Sequence, residues 1–206
     1  MQIAPTFKPT FHLEDKARSL TVRATHHDAE SPRRKDAEQF IRQVFGERYG
    51  ADVKSFAPNL VLIEESEKIV ASAGWRGADA APLFLERYLD APIEAVIGER
   101  IGAMLKRERI VEVGNLASER SGGSLDIILH MARHLHQEGF EWVVFTATQQ
   151  LIGIFSKLGL PLLALARADS SRLGDEAGAW GSYYEMQPVV VTGRIKQAIK
   201  RMRKIA

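Results

Sequence analysis

Arg120, Ser121, Gly122, Gly123 and Ser124 stand between a run rich in β-branched residues, RIVEVGNLA (109–117), and an apolar stripe at helical spacing. Two glycines leave successive backbone N–H groups free to converge, and a helix N-terminus carries partial positive charge, so a strand-to-helix loop of this composition suits a phosphate. A plain connection between strand and helix would use similar residues. Glu112 lies inside the apolar run. Burial there would raise its pKa toward neutrality and let it accept a proton, whereas a nearby arginine would make it half of an ion pair. Gly114 marks a bulge or the close approach of another backbone, and Asn115 beside it offers an amide that could orient a substrate or close a strand-end hydrogen bond. Thr146 and Thr148 alternate on EWVVFTAT, where they either line a channel or simply favour a strand. Tyr183 and Tyr184 in WGSYY either donate a proton or pack. Asp126, His130 and His134 have the i, i+4, i+8 spacing that can hold a metal. Opposite Leu125, Ile128 and Leu129, however, they read as a solvated face, and no metal is expected. His26 and His27, beside Asp28, read as a turn.

These residues need elements to hold them. Leu20, Val22 and Ala24 alternate with Thr21, Arg23 and Thr25, the period of a half-buried strand through His26. Ser31-Pro32 reads as the N-cap and first position of an amphipathic helix that runs to Gly50. Residues 59–64 and 69–75 read as a hairpin with the four-residue loop Glu65-Ser66-Glu67-Lys68. Asp90 and Pro92 open a second helix, with Ile93, Val96, Ile97, Ile101, Met104 and Leu105 on one stripe. RIVEVGNLA and EWVVFTAT are strands each followed by a helix, a parallel arrangement, and residues 162–167 supply another strand. Residues 169–179 read as a polar loop and 182–187 as a last strand. The expected architecture is α/β, with a mixed, partly parallel central sheet flanked by helices.

At 206 residues with 45% apolar content, one hydrophobic core can organise most of the chain. The absence of cysteine excludes disulfides, thiolate metal sites and a cysteine nucleophile. The net charge of +2 is split: six Lys or Arg and no acid lie in residues 192–206, and 22 basic against 26 acidic residues precede them. The charge distribution therefore speaks against general nucleic-acid binding and for a local basic appendage. Residues 1–191 read as a single domain and 192–206 as a basic amphipathic helix, with Ile195, Ile199, Met202 and Ile205 on its apolar side. That helix has three uses open to it: an anionic membrane surface, an acidic acyl carrier protein, or packing on its own body. No segment has the length of a membrane span or the form of an export signal, so a cytoplasmic protein, at most peripheral to a membrane, is expected.

The hairpin LVLIEESEKIVASAGW, the segment RIVEVGNLASERSGGSL and the stretch ATQQLIGIFSKLGL together resemble the GNAT acyltransferase superfamily over about residues 19–165. More narrowly, YLDAPIE, IVEVGNLAS, WVVFTAT, KLGL, the following Ala168-Asp169 and WGSYY resemble the thermostable hemolysin family. The same strand is similar to that of acyl-homoserine lactone synthases and long-chain N-acyl amino acid synthases. The resemblance implies transfer of an acyl group, a fatty one, from a coenzyme A or acyl-carrier-protein thioester to a small amine. It implies that Arg120, Gly122 and Gly123, with Ser121 and Ser124 beside them, cradle the pyrophosphate. The thioester would enter a splay between residues 112–117 and 142–148, near Gly114 and Thr146, with the Leu116 N–H polarising its carbonyl. Glu112 or Asn115 would prepare the acceptor. Phe155 stands where the superfamily often has a tyrosine acid, which leaves Tyr183 or Tyr184 for that role. The alternative is a membrane-active protein without acyl-transfer chemistry.

Overall fold

The computed structural model describes residues 22–119 and 123–202. In chain order its elements are β1 (Val22–His27), α1 (Arg34–Tyr49), β2 (Asn59–Glu65), β3 (Lys68–Gly77), α2 (Ile93–Ile101), β4 (Ile110–Ser118), α3 (Gly123–Gln137), β5 (Trp142–Ala147), α4 (Gln149–Lys157), β6 (Leu163–Arg167), β7 (Val189–Arg194) and α5 (Ile195–Met202). Tighter helical segments occupy Phe84–Tyr88 and Ser170–Met186. The strands form one open sheet in the order β1-β2-β3-β4-β5-β7-β6. Among the described residues only β4 and β5 pair in parallel, and the other neighbouring pairs are antiparallel. The expected α/β class and mixed sheet are therefore present.

Alternation along β4 divides the core between the two faces of the sheet. Ile110 packs with α2 and the Phe84–Tyr88 segment, whereas Val111 packs with α3 and α5. Ala37, Phe40, Ile41, Val44 and Phe45 of α1 cover β2 and β4 on the first face, at the period expected of an amphipathic helix.

Several local expectations are corrected. α1 begins at Arg34, because the Ser31 hydroxyl is hydrogen-bonded to His27 Nδ1 at 2.7 Å instead of capping a helix at Pro32. The β2–β3 loop has two residues, Ser66 and Glu67, at φ 49° and 68°. Positive φ at both is what the twist of a tight hairpin demands, and their side chains do not advertise it. Residues 182–187 are not a strand: they close the Ser170–Met186 segment, which is kinked at Gly174 and Gly181. A Cβ on Gly181 would collide with the Tyr49 carbonyl, so that close approach tolerates only glycine. The final strand is β7, whose Val189-Val190-Val191-Thr192 run inserts between β5 and β6. Thr192 and Arg194 thus belong to the sheet, and the terminal helix begins at Ile195. Met104 lies beyond the end of α2 and is fully exposed.

His26 and His27 are the last residues of β1 rather than a turn. His130 and His134 are not on a solvated face either. Their rings lie against His26, with His26 Nε2 3.0 Å from His130 Nε2 and the His26 and His134 centroids 3.8 Å apart. Burial, helped by the charges of His134 and Arg133, pushes His130 down to about 4.

Candidate active site

β4 carries most of the site, and two irregularities make it useful. Its parallel register with β5 covers only Ile110↔Trp142, Val111↔Val143 and Glu112↔Val144, although β4 continues to Ser118 and β5 to Ala147. Past Glu112 the strands diverge, which is the splay expected between them. On the other side of β4 the register with β3 jumps from Gly74↔Gly114 to Ser72↔Ala117. Asn115 and Leu116 together stand opposite Ala73, one residue more than the partner strand supplies, with Asn115 in the left-handed region at φ 51°. Gly74 must lack a side chain here, because a Cβ would stand 2.7 Å from Ala57 Cβ and 3.1 Å from Asn115 Oδ1. The Asn115 amide pins the approach to β2: Oδ1 accepts from Ala57 N at 3.0 Å and Nδ2 donates to the Ser55 carbonyl at 3.4 Å.

A cavity of about 240 Å³ opens at the splay and has walls on both faces of the sheet. Val113, Gly114, Asn115 and Leu116 line it from β4, and Phe145, Thr146 and Thr148 from the β5 side. A Cβ on Gly114 would meet nothing within 4 Å, so the glycine leaves the cavity wall open at that point. Thr148 also caps α4, its Oγ1 accepting from Leu151 N at 3.4 Å. Phe155 lies in the wall against Phe145, with ring centroids 5.2 Å apart, and it offers no proton.

On the α1 face the lining is aromatic and charged. Glu112 Oε2 accepts from Phe84 N and Oε1 from Leu85 N, both at 2.9 Å, and Arg76 Nε lies 3.5 Å from Oε2. Burial drives the Glu112 pKa above the ordinary carboxylate value, opposed by the two backbone N–H groups and by Arg76. The buried carboxylate and its arginine partner are therefore both present in one residue's surroundings. The Phe84–Tyr88 segment is fixed from behind as well, by Arg107 donating to Glu86 at 2.6 and 2.8 Å and to Glu94 at 2.6 Å.

Tyr183 and Tyr184 reach the cavity because the Gly181 kink folds their segment onto the end of α1. Tyr183 sits among Phe45, Tyr49 and Trp180, with centroids 6.2, 5.2 and 5.6 Å away, and burial raises its pKa. The Tyr184 hydroxyl is bonded to that of Tyr88, whose pKa burial also raises. Both phenols remain protonated at neutral pH.

Arg120, Ser121 and Gly122 lie outside the described residues. Gly123 and Ser124 are the first two positions of α3, so the loop does lead straight into a helix N-terminus. The structure thus brings Glu112, Gly114, Asn115, Leu116, Thr146 and Tyr183 to one cavity. Arg48, Arg76, Phe84 and Tyr88 line it too and escaped sequence reasoning, since they come from three separate elements and form no motif. WGSYY was visible as a pattern, and only the kink showed where it goes.

A family model described as thermostable hemolysin matches residues 27–199. No curated protein matches by sequence. Among solved structures, the AHL synthase LasI superposes with a TM-score of 0.56 at 17% identity, covering 85% of this chain and 90% of that one. FeeM, an N-acyl amino acid synthase from uncultured soil microbes, gives 0.58 at 11% identity, covering 88% and 95%. BjaI, a CoA-dependent acyl-homoserine lactone synthase whose structure holds SAM and isopentyl-CoA, gives 0.54 at 13% identity, covering 85% and 84%. At such identities the likeness is one of fold.

Proposed function

The chain belongs to the thermostable hemolysin family, and from that premise and the cavity we propose that it is an N-acyltransferase. It moves an acyl group from a coenzyme A or acyl-carrier-protein thioester to a small amine. The observation that carries this reading is the splay of β4 from β5 past Glu112, opening onto a cavity walled from both faces of the sheet.

The thioester lies in the splay with its carbonyl near Gly114 and the bulge, where the Leu116 N–H polarises it. Residues 120–124 hold the phosphates of the pantetheine arm at the start of α3. The amine nitrogen attacks the carbonyl carbon, the C–N bond forms, and the C–S bond breaks. Glu112 takes the proton released by the amine, and its raised pKa suits it to do so near neutrality. The departing thiolate receives a proton from Tyr183 or Tyr184. Asn115 acts as a positioning residue, holding the bulge against residues 55–57. A lytic role for the terminal helix finds less support, because Ile195 and Ile199 are packed into the core beside α3.

The test is mass spectrometry of lipid extracts from cells expressing the wild type, Glu112→Gln, Arg120→Ala or empty vector. A new N-acyl species confined to the wild type is the expected result and identifies donor chain and acceptor together. Identical extracts in all four, with purified protein lysing vesicles in an α5-dependent manner, would overturn it.

A further inference from the structure

Four tyrosines occur in the chain, Tyr49, Tyr88, Tyr183 and Tyr184, and all four line the cavity. Among the described residues only one hydrogen bond joins two of their hydroxyls, that between Tyr88 and Tyr184, 96 residues apart in the chain. The joint between their two segments is built on charge. Arg87 donates to both oxygens of Glu176, at 2.7 and 3.2 Å, and Arg172 donates to the Tyr88 carbonyl at 3.1 Å and to Asp90 at 2.7 Å. The hydrogen bond also has a direction. Tyr88 is 3% exposed and its hydroxyl is partnered by that of Tyr184, so a proton turned away from Tyr184 would be buried without an acceptor. Tyr88 therefore donates, and the half-buried Tyr184 accepts and keeps its own proton for the cavity.

Resting on the acyl-transfer reading above, we infer that Tyr184, not Tyr183, delivers the proton to the departing thiolate, and that Tyr88 is the positioning residue that aims Tyr184 and donates a hydrogen bond to the phenolate left behind. The need for such a partner is chemical. A thiol ordinarily ionises at about 8.5 and a phenol at about 10, so a lone phenol protonates a thiolate uphill, and burial steepens the climb. The hydrogen bond from Tyr88 and the positive charge of Arg87 both favour the Tyr184 phenolate, opposing its burial. Tyr183 has burial and the neighbouring phenols Tyr184 and Tyr49, all of which raise its pKa. In the step, the C–S bond breaks, the sulfur takes the Tyr184 proton, and Tyr88 holds the phenolate until water reprotonates it. Glu112 releases the amine's proton to water in the same interval. The titratable groups around Tyr184 are Tyr88 and Arg87 from the Phe84–Tyr88 segment and Glu176 and Tyr183 from its own, with Glu112 and Arg76 lining the cavity from the sheet and Arg48 and Tyr49 from α1.

Two measurements on the full chain test this. In the first, acyl transfer to the amine identified in the extracts is followed with two donors, a fatty acyl-CoA and the p-nitrothiophenyl thioester of the same acid, whose thiolate departs without a proton. Tyr184→Phe should lower kcat by about 10²-fold with the acyl-CoA and by much less with the aryl thioester. Tyr88→Phe should show the same donor dependence at about tenfold, and Tyr183→Phe should slow both donors alike. In the second, the tyrosines are replaced by trifluorotyrosine, whose phenol ionises nearer neutrality, and the fluorine NMR signals, assigned through Phe variants, are followed against pH. Tyr184 should ionise below Tyr183, and Tyr88→Phe should raise the Tyr184 midpoint by about one to two pH units. Should Tyr88→Phe not fold, Tyr184→Phe reads the same bond from its other side by lowering the Tyr88 midpoint. Equal losses with both donors, or a Tyr184 midpoint indifferent to Tyr88, overturns the inference and leaves the acyltransferase. Absence of any N-acyl product from the wild type with either donor removes the acyltransferase and this assignment with it, even where the phenols titrate as a pair.

Discussion

At the residue scale, Glu112 combines two demands that usually compete. Its carboxylate ties the Phe84–Tyr88 segment to β4 through two backbone N–H groups, and burial keeps its pKa raised. Glu112→Gln retains one of those bonds and loses the proton acceptor. Acyl transfer measured against pH should fall by about 10²–10⁴-fold and lose the acidic limb that reports the carboxylate, while the fold survives as judged by circular dichroism. If the rate instead recovers once the protein is stabilised by low temperature, Glu112 only positions. His130 gives a separate expectation for stability. Its pKa is depressed from 6.5 to about 4 in the folded chain, so the neutral ring is favoured there. Its contribution is complete above pH 6.5 and is lost as pH falls through the window down to about 4. The groups facing it are His26 and His134, with Arg133 and Glu138 on its own helix. The loss amounts to at most about 3 kcal/mol at 1.36 kcal/mol per pKa unit, less what water at the half-exposed ring screens. Denaturant unfolding at pH 7 and pH 4 should show a smaller difference for His130→Gln than for the wild type.

At the scale of elements, the site depends on two breaks in regular structure. The β4 bulge is held by the Asn115 amide as much as by backbone geometry. Asn115→Gly keeps the left-handed φ accessible but drops both side-chain bonds, and should cost about 1–2 kcal/mol with a raised KM. Asn115→Ala should cost more, because it adds strain at φ 51°. Thermal unfolding of the pair separates the two contributions. The Gly181 kink is the second break. Gly181→Ala forces the Ser170–Met186 segment away from the Tyr49 carbonyl, carrying Trp180, Tyr183 and Tyr184 with it. Fluorescence of Trp180 should shift to the red, and activity should fall further than it does in Tyr183→Phe or Tyr184→Phe alone.

At the scale of the whole molecule, the sheet acts as a partition. α1, the Phe84–Tyr88 segment and the kinked Ser170–Met186 segment line the cavity with polar and aromatic side chains on one face, and α3, α4 and α5 with apolar ones on the other, where β4 and β5 part. The terminal helix is therefore a structural wall with charges on its outside. Lys196→Glu with Lys200→Glu should leave the unfolding temperature within a degree or two, since exposed charges contribute little. Ile195→Asp, placing a carboxylate where the side chain is 1% exposed, should destabilise by about 3 kcal/mol or more. Equal effects of the two on unfolding would mean that α5 is not docked as described.

Much of this arrangement is determined by short-range pattern. Alternation and β-branched residues mark β1 to β5, the 3.6 period marks α1, α2, α3 and α4, and Glu112 and Gly114 stand out because each breaks the apolar run around it. The loop at 120–124 is legible for the same reason, as glycines before a helical stripe. What only the tertiary structure decided involves contacts between residues far apart in sequence. β7 pairs with β5 and β6 from the far end of the chain, Tyr183 reaches the cavity because Gly181 packs on Tyr49, and His130 is half-buried because β1 brings His26 to it. Arg76 and Phe84 join the site through a register and a hydrogen bond to Glu112 that no spacing announces. Local periodicity reports which side of an element is buried, and only the assembled sheet reports what it is buried against.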